Sequence, residues 1–476
     1  MHQKKLQSSI KIGIEHHQAG RVAQAVAIYS SILQAHPHNP QALYLLGLIA
    51  QESGDHKKAV ALFTKGRNAS PSEPVFHLQL GISLNHLGAV DDAISSCRAA
   101  LALNPAYVEA HCNLGNVLAR MGDADAAIAS YRRALQLAPD MAQIHYNIGV
   151  LFQEQFQPEK AIECFRDAIR HKEDYAAAYN NLGVALSETG DLDEAIVCYR
   201  KAQELAPDFA DPFYNSHALL LGLDDKTASI SCLDQALKIQ PGNDTYRFSL
   251  GMLHDYLGDA EKAAACFNAL PKSDPLAADM DAWDYLKSLD GARPSVMGSA
   301  LQTFKFAIDR ARTDGLVLEF GVFHGKSIRL IASLVDTAVH GFDSFEGIPD
   351  DWNQELKGSY STRGVIPSVP DKVQLHAGWF EDSIPAFIEK ERGPIRFMNV
   401  DCDLYSSTKT VLELLAGQIV SGTVIVFDEY IGNSSWRDDE FKAFNEAAQK
   451  HRWSYEVLCF SFVTKQVAIR ISGCAA

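Results

Sequence analysis

Four carboxylates stand in two short stretches near the end of the chain. Asp401 and Asp403 belong to DCDLY, and Asp428 and Glu429 to FDEY. Each pair directly follows an apolar run, at 395–400 and 423–427, so the acids are expected at the carboxyl ends of two neighbouring strands, where α/β sheets bind their ligands. That much negative charge in one cleft repels itself unless protons or a cation compensate. Oxygen-only ligands favour magnesium, manganese or calcium over zinc. No H-x-x-x-H pair and no cysteine cluster competes for the metal.

A second constellation precedes these acids. Residues 318–327 read LEFGVFHGKS, an apolar strand running into Gly321 and Gly325 at a strand-to-helix corner. A dinucleotide fingerprint needs further glycines where Phe323 and Lys326 stand. That argues against NAD or FAD, whereas S-adenosylmethionine carries no phosphate and tolerates E-x-G-x-x-x-G. Asp343 lies 22 residues after Gly321, close to the spacing of about 20 for an acid that accepts from ribose hydroxyls. Trp379 and Phe380 follow the third strand, where a ring can lie on adenine. Together these describe an adenosine pocket. Alternatives stay open: Asp343 could cap a turn, Trp379 could be core, Asp403 could cap the helix beginning near Ser406, and Glu429 could be a solvated strand end. His324 reads as packing or solvated rather than as a base, and His376 as structural.

The motifs EFGVFHGKS, FDSFEGIP, GWFEDSIP, DCDLYSST and VIVFDEY occur in order over about 110 residues. Together they resemble the macrocin O-methyltransferase family, with the likeness covering roughly 295–472. The resemblance implies a metal-dependent class I methyltransferase that modifies sugar hydroxyls. It implies methionine-moiety contacts at Glu319 and Gly321, ribose binding by Asp343, and adenine contacts near Trp379 and Phe380. The full set of expected cofactor contacts is Glu319, Gly321, Gly325, Ser327, Asp343, Ser344, Trp379 and Phe380. Magnesium would be held by Asp401, Asp428 and Glu429, with Asp403 as the base. The chain departs from the family at Asp428-Glu429, where Asp-Asp is usual.

The elements that position these groups are short apolar runs alternating with helices. Strands are expected at 316–320, 338–342, 373–377, 395–400, 423–427, 455–461 and 467–471, the size of one α/β doubly wound, Rossmann-like domain. Residues 295–311 form an amphipathic segment expected to cover the edge of the cofactor site. The polar insertion 350–370, with Trp352, Tyr360 and Arg363, has the length of a lid or acceptor-binding loop.

Before this domain the chain is periodic. Proline recurs every 34 residues at 37, 71, 105, 139, 207, 241 and 275, with Glu173 breaking the register. Glycine recurs at 13, 47, 81, 115, 149, 183 and 251, with His217 as the exception, and alanine at 25, 59, 93, 127, 161, 195 and 263, with Ser229 as the exception. An aromatic usually follows the alanine by four residues, and a second glycine series, from Gly20 to Gly258, marks the turns. Small residues let paired helices approach, the aromatic fills space between hairpins, and proline ends the second helix. The pattern resembles the tetratricopeptide repeat family, in eight units over 6–277. The resemblance implies an all-α superhelix that binds protein. Its seventh unit, 210–243, has lost its glycines and is expected to be distorted. Asn113, Asn147, Asn181 and Asn215 recur on the first helices and are expected to face the groove as an amide ladder for an extended peptide; the alternative is solvation. The domain limits are therefore 6–277 for the repeats, 278–294 for a linker or bridging helix, with a short helix near 281–288, and 295–476 for the methyltransferase-like domain.

Bulk properties agree. The 476 residues are 47% hydrophobic and 21% charged, and 43 basic against 59 acidic side chains leave a net charge of -16. That balance disfavours a nucleic-acid binder. No signal peptide or apolar run of membrane-spanning length occurs, so a cytoplasmic location is expected and the sequons at Asn68 and Asn433 read as chance. Cys164, Cys198, Cys232 and Cys266 share the 34-residue spacing; equivalent positions in stacked repeats lie too far apart for disulfides. Acidic runs at 123–125 and 191–194 read as helix starts. Two functional classes follow. One is an active methyltransferase whose repeats dock a protein or glycoconjugate, and the other is an interaction scaffold with a ligand-binding but inactive methyltransferase-like half.

Overall fold

The computed structural model describes residues 2–223, 225–271, 274–353 and 355–474. The chain forms two compact units, Met1–Glu173 and Asp174–Ala476.

The first unit holds five helical hairpins: α1 (His2–Gln18) with α2 (Val22–Ala35), α3 (Pro40–Glu52) with α4 (His56–Ala69), α5 (Pro74–His86) with α6 (Val90–Leu103), α7 (Val108–Met121) with α8 (Ala124–Leu137), and α9 (Ala142–Glu154) with α10 (Pro158–His171). The glycine of the 34-residue register has a steric cause. A Cβ on Gly47 would stand 2.3 Å from the Phe63 ring, and one on Gly115 would stand 2.5 Å from Tyr131. The aromatic thus lies on the glycine of its own hairpin rather than filling space between hairpins. The second glycine series does mark the turns: Gly54 and Gly122 have φ of +77° and +86°, a region that only glycine enters freely. Asp55 and Asp123 cap α4 and α8, accepting from the amides of Lys58 and Ala126; the second opens the acidic run 123–125, expected at a helix start.

The second unit begins with three further hairpins: α11 (Ala176–Thr189) with α12 (Leu192–Leu205), α13 (Asp211–Gly222) with α14 (Lys226–Ile239), and α15 (Asp244–Tyr256) with α16 (Ala260–Asn268). Helix α17 (Asp274–Ser288) follows, longer than the short helix expected; the side chain of Pro275, last of the proline series, lies outside the described residues. Then come β1 (Ser295–Val296), α18 (Ala300–Ile308), β2 (Leu316–Phe320), α19 (Lys326–Leu334), β3 (Val339–Asp343), β4 (Val373–Ala377), α20 (Phe380–Ile388), β5 (Ile395–Val400), α21 (Tyr405–Leu415), β6 (Val424–Phe427), α22 (Glu440–His451), β7 (Trp453–Phe460) and β8 (Val467–Cys474). The sheet order is β1-β7-β8-β6-β5-β2-β3-β4. All neighbours are parallel except β8, which runs antiparallel to β6 and β7. The seven expected strands are present, and β1 adds an edge.

The segment 295–311 packs on one face of the sheet. It forms β1 and α18, and its Met297, Phe304 and Ile308 are buried with Val317, Ile328 and Val426 in the core on that face. The core of the other face continues without a break from Leu221, Leu253 and Trp283 to Phe320, Val400 and Phe427. The last repeats and the sheet therefore share one apolar interior.

The seventh hairpin keeps its two helices. His217 and Ser229 replace the register glycine and alanine and hydrogen-bond to each other at 2.7 Å. Residues 216–221 of α13 are all buried, so the helix is covered on every side. One cover is the start of α18. A Cβ on Gly298 would lie 1.6 Å from the Ala218 carbonyl oxygen, and Gln302 Nε2 donates to the Leu219 carbonyl at 2.8 Å, satisfying a carbonyl in the last turn of α13 that has no partner within the helix.

Candidate active site

The strand-to-helix corner is held by its own backbone. Gly321 has φ +89°, and a Cβ there would lie 1.7 Å from the Asp401 carbonyl oxygen. This residue must be glycine because the β2 corner passes against the end of β5. Gly325, at φ +77°, is the N-cap of α19. Asp343, expected at a ribose, clamps this loop: Oδ2 accepts from the amides of Val322 at 2.8 Å and Phe323 at 2.7 Å, and Oδ1 accepts from Phe345 at 2.6 Å. The turn-capping alternative thus has direct geometry. Ser344 is likewise engaged locally, its hydroxyl accepting from the Glu346 amide at 3.1 Å.

Glu319 is fully buried in β2 beside Asn399 of β5, its partner in register. Asn399 Nδ2 donates to Glu319 Oε1 at 3.0 Å, while Oε2 has no hydrogen-bond partner. Burial pushes this carboxyl up to about 8, against the hydrogen-bonding influence of Ser327 and Asn399. An orphaned, buried carboxylate oxygen at a glycine corner suits a cationic donor, as the ammonium of a bound amino-acid moiety would be. Trp379 is 38% exposed, so it is not core and is available to stack. Phe380 packs edge-on against Phe320 at 5.7 Å and serves the interior.

The four acids lie where the two strands end. β5 and β6 are adjacent and in register, which sets Asp401 beside Asp428. Asp403 has φ +58°, a strained backbone for a residue that is not glycine, and its side chain does not cap α21. Burial, then the neighbouring acids, hold Asp401 well above the carboxylate range and push Asp403 up to about 7. Burial pushes Asp428 up to about 6, opposed by a hydrogen bond from Gln466. Glu429 is not a solvated strand end. Lys465 Nζ donates to its two oxygens at 3.2 and 3.3 Å, and Asn433 Nδ2 donates to its carbonyl at 3.0 Å.

Sequence reasoning missed several members. Glu440, the first residue of α22, is fully buried, and its Oε2 accepts from the Glu429 amide at 3.2 Å. Its neighbour Asp439 accepts from Trp352 Nε1 at 3.1 Å, which ties the 350–370 insertion to the cleft. Burial and the field of Asp403 raise the Tyr360 hydroxyl, placing that insertion residue near the acids, whereas Arg363 is exposed. Asn399, a lone amide in the apolar run IRFMNV, was the available signal for the Glu319 partner. The acids of WRDDE gave none, since charge in a polar loop is ordinary.

A divalent cation suits this donor set chemically, because the oxygens are anionic and mutually repelling. Among the described residues, however, no three His, Cys, Asp or Glu side chains gather closely enough to hold a metal ion. The positive charge beside Glu429 is Lys465.

The amide ladder is engaged with its surroundings. Asn113 Nδ2 donates to the Glu109 carbonyl one turn back at 2.7 Å, and Asn147 Oδ1 accepts from Gln143 at 2.9 Å. Asn215 Nδ2 donates to Asn180 Oδ1 at 3.0 Å, and Asn180 Nδ2 donates to Asn181 Oδ1 at 3.1 Å. All four ladder residues are half-buried.

Comparison with known proteins agrees with both halves of the chain. Residues 318–430 match the methyltransferase domain family. Residues 16–80, 81–122, 106–174, 176–209 and 219–278 match tetratricopeptide repeat families. A curated relative, the 8-demethyl-8-(2,3-dimethoxy-alpha-L-rhamnosyl)-tetracenomycin-C 4'-O-methyltransferase of Streptomyces olivaceus, is 25% identical over 161 residues, which is 27% of this chain. The match spans 59% of that relative's length. Among solved structures, MamA is 28% identical over 34% of this chain and 94% of its own, with a TM-score of 0.33. YrrB, described as a TPR protein with an unusual peptide-binding site, is 23% identical over 41% of this chain and 97% of its own, with a TM-score of 0.35. The chain is a tetratricopeptide repeat protein that carries a methyltransferase domain.

Proposed function

We propose that the chain is an S-adenosylmethionine-dependent O-methyltransferase acting on a sugar hydroxyl of a glycan or glycoconjugate. The observation that carries this reading is the buried Glu319, with its unpartnered oxygen, opening toward a cleft of acids at the next two strand ends. The curated relative, named as a methyltransferase of a rhamnosyl compound, supports the acceptor class. Glu319, Gly321, Gly325 and Ser327 would face the methionine end, and Trp379 would cover the base. Asp343 holds the glycine corner and reaches the ribose only with lone pairs left over from its three amide bonds; Ser344 and Phe380 support the same wall. The cofactor supplies an electrophilic methyl group on sulfur.

A sugar hydroxyl is a weak nucleophile, and the chain must take its proton. Asp403 fits that role, since a base works best near the operating pH and its surroundings bring it to about 7. Asp401, Asp428 and Glu429 would hold magnesium, which would lower the hydroxyl pKa; binding would have to gather them and displace Lys465. The repeats would dock a protein or glycoconjugate, with Asn113, Asn147, Asn181 and Asn215 as candidate peptide contacts. We place the protein in the cytoplasm, without nucleic-acid partners; among the described residues no helix is long and apolar enough to cross a membrane.

Calorimetric titration with S-adenosylmethionine, with and without magnesium, tests the reading. Binding in at least one condition is expected, and binding in neither sinks it. Asp401→Ala is expected to abolish methyl transfer while cofactor affinity changes less than about threefold; equal loss of both would make Asp401 a cofactor contact. Mass spectrometry of products formed with methyl-labelled cofactor identifies the acceptor, and a label found outside a sugar would overturn that part.

A further inference from the structure

A cavity of about 210 Å³ lies between the sixth and seventh hairpins and the start of the sheet domain. The repeats supply Val184, Ser187, Glu188 and Asn215 to its wall, and the sheet domain supplies Ser299, Leu301, Lys326 and Thr464. Nothing in the proposed reaction uses it. Its chemistry is mixed in a specific way. Val184 and Leu301 are apolar, Ser187, Tyr199, Ser299 and Thr464 carry hydroxyls, Asn215 carries an amide, and Lys326 Nζ meets Glu188 Oε1 at 2.8 Å. The paired charges leave no net preference for an anion. Apolar walls with a few converging polar groups make a small-molecule site, and a neutral ring with hydroxyls around its rim matches both features.

The cavity is also wired to the acid cleft. Residues 463 and 464 line it, and the next two residues reach the acids: Lys465 pairs with Glu429 and Gln466 donates to Asp428. Thr464 Oγ1 bonds to Gln466 Oε1 at 3.0 Å, which closes the link. On the other side Lys326 opens α19, directly after the glycine corner, and its positive field reaches Asp428.

We infer that this cavity is a sugar subsite, built jointly by the repeat helices and the sheet domain, that holds the saccharide unit next to the one being methylated. The repeats would then recognise the acceptor directly, with Glu188 as a specificity-determining residue. The inference rests on the sugar-acceptor reading above.

Saturation-transfer NMR on the full chain with L-rhamnose, D-glucose, D-galactose and D-mannose as probes tests it. At least one sugar is expected to receive saturation from the wild-type protein. Ser187→Trp, which fills the cavity, is expected to reduce the signal to what the acceptor site in the cleft supplies, and Glu188→Gln, which adds no volume, to weaken the cavity binding about fivefold or more. Asp401→Asn, in the cleft, is expected to leave the cavity's share in place. No transfer to any of the four sugars overturns the inference, as does a signal unchanged in both repeat variants or one that disappears only in Asp401→Asn. Cofactor titration and product analysis separate the two claims. A sugar held in the cavity alongside a non-sugar methylation product would sink the acceptor reading alone. A methylated sugar product with an empty cavity would sink the subsite alone.

Discussion

The sixth and seventh hairpins are built from the same repeat, yet they solve their packing in opposite ways. In the sixth, Gly183 lies under the Tyr199 ring, where a Cβ would come within 2.6 Å, and Ala195 is fully buried beside it. Its two helices close on each other, although Glu188 also pairs with Lys326 of the sheet domain. In the seventh, His217 takes the glycine position, Ser229 the alanine and Leu233 the aromatic, all of them buried. A polar pair replaces the ring stacked on a backbone. What differs is how closely the sheet domain approaches the backbone. The far side of α13 is pressed against Gly298 and Gln302, so its sequence answers to the sheet domain as well as to its own partner helix. A repeat consensus describes a unit that meets only its neighbours in the array, and it decays where a helix must also dock on something else.

The two hairpins diverge most at the dock. Gly298→Val places a side chain against the Ala218 backbone, an atom that cannot step aside, and is expected to cost about 4 kcal/mol in urea unfolding. Gly242→Ala is the control, because nothing stands within 4 Å of its added Cβ, and it is expected to stay within about 0.5 kcal/mol of wild type. A similar loss for both would mean that the seventh hairpin is not anchored at Gly298.

Restoring the consensus residues tests the seventh hairpin from within. In an ordinary repeat, consensus substitutions commonly add about 0.5–2 kcal/mol. His217→Gly with Ser229→Ala is expected to do the reverse and lose about 2–3 kcal/mol, because it empties the space that the imidazole fills and no ring at position 233 replaces it. A stabilised double variant would show that the divergence is drift rather than adaptation.

The same contrast explains what was legible in the sequence. The repeats could be read because each glycine, alanine and proline solves a local problem that recurs. The central strands could be read because buried parallel strands are apolar runs. The acids at the strand ends and the glycine corner followed from topology alone. Other features depended on contacts between residues far apart in the chain. That Asp343 would spend its oxygens on the amides of 322, 323 and 345, or that Lys465 would face Glu429, is set by how loops fold back, which no spacing records. What 295–311 covers was hidden for the same reason. Amphipathicity says that a helix covers something, and the core shows that its apolar side lies on the sheet, reaching Val322 beside the glycine corner.

Acid offers the gentlest test of the seventh hairpin. Burial drives the His217 imidazole down to about 3 from an ordinary value of 6.5, and its Nε2 has no hydrogen-bond partner. Between those two values the unfolded chain binds a proton that the folded chain refuses. The stabilisation is therefore whole above pH 6.5 and is lost as the pH falls toward 3. At pH 5 the loss amounts to about 2 kcal/mol. Other groups titrate in the same range, so the informative quantity is the difference between wild type and the His217→Gly, Ser229→Ala variant. That difference is expected to shrink by about 2 kcal/mol from pH 7 to pH 5 in urea unfolding, since only the wild type carries the buried imidazole. If the difference stays constant, His217 reaches solvent in the folded protein, and the seventh hairpin is not sealed in the way that sets it apart from the sixth.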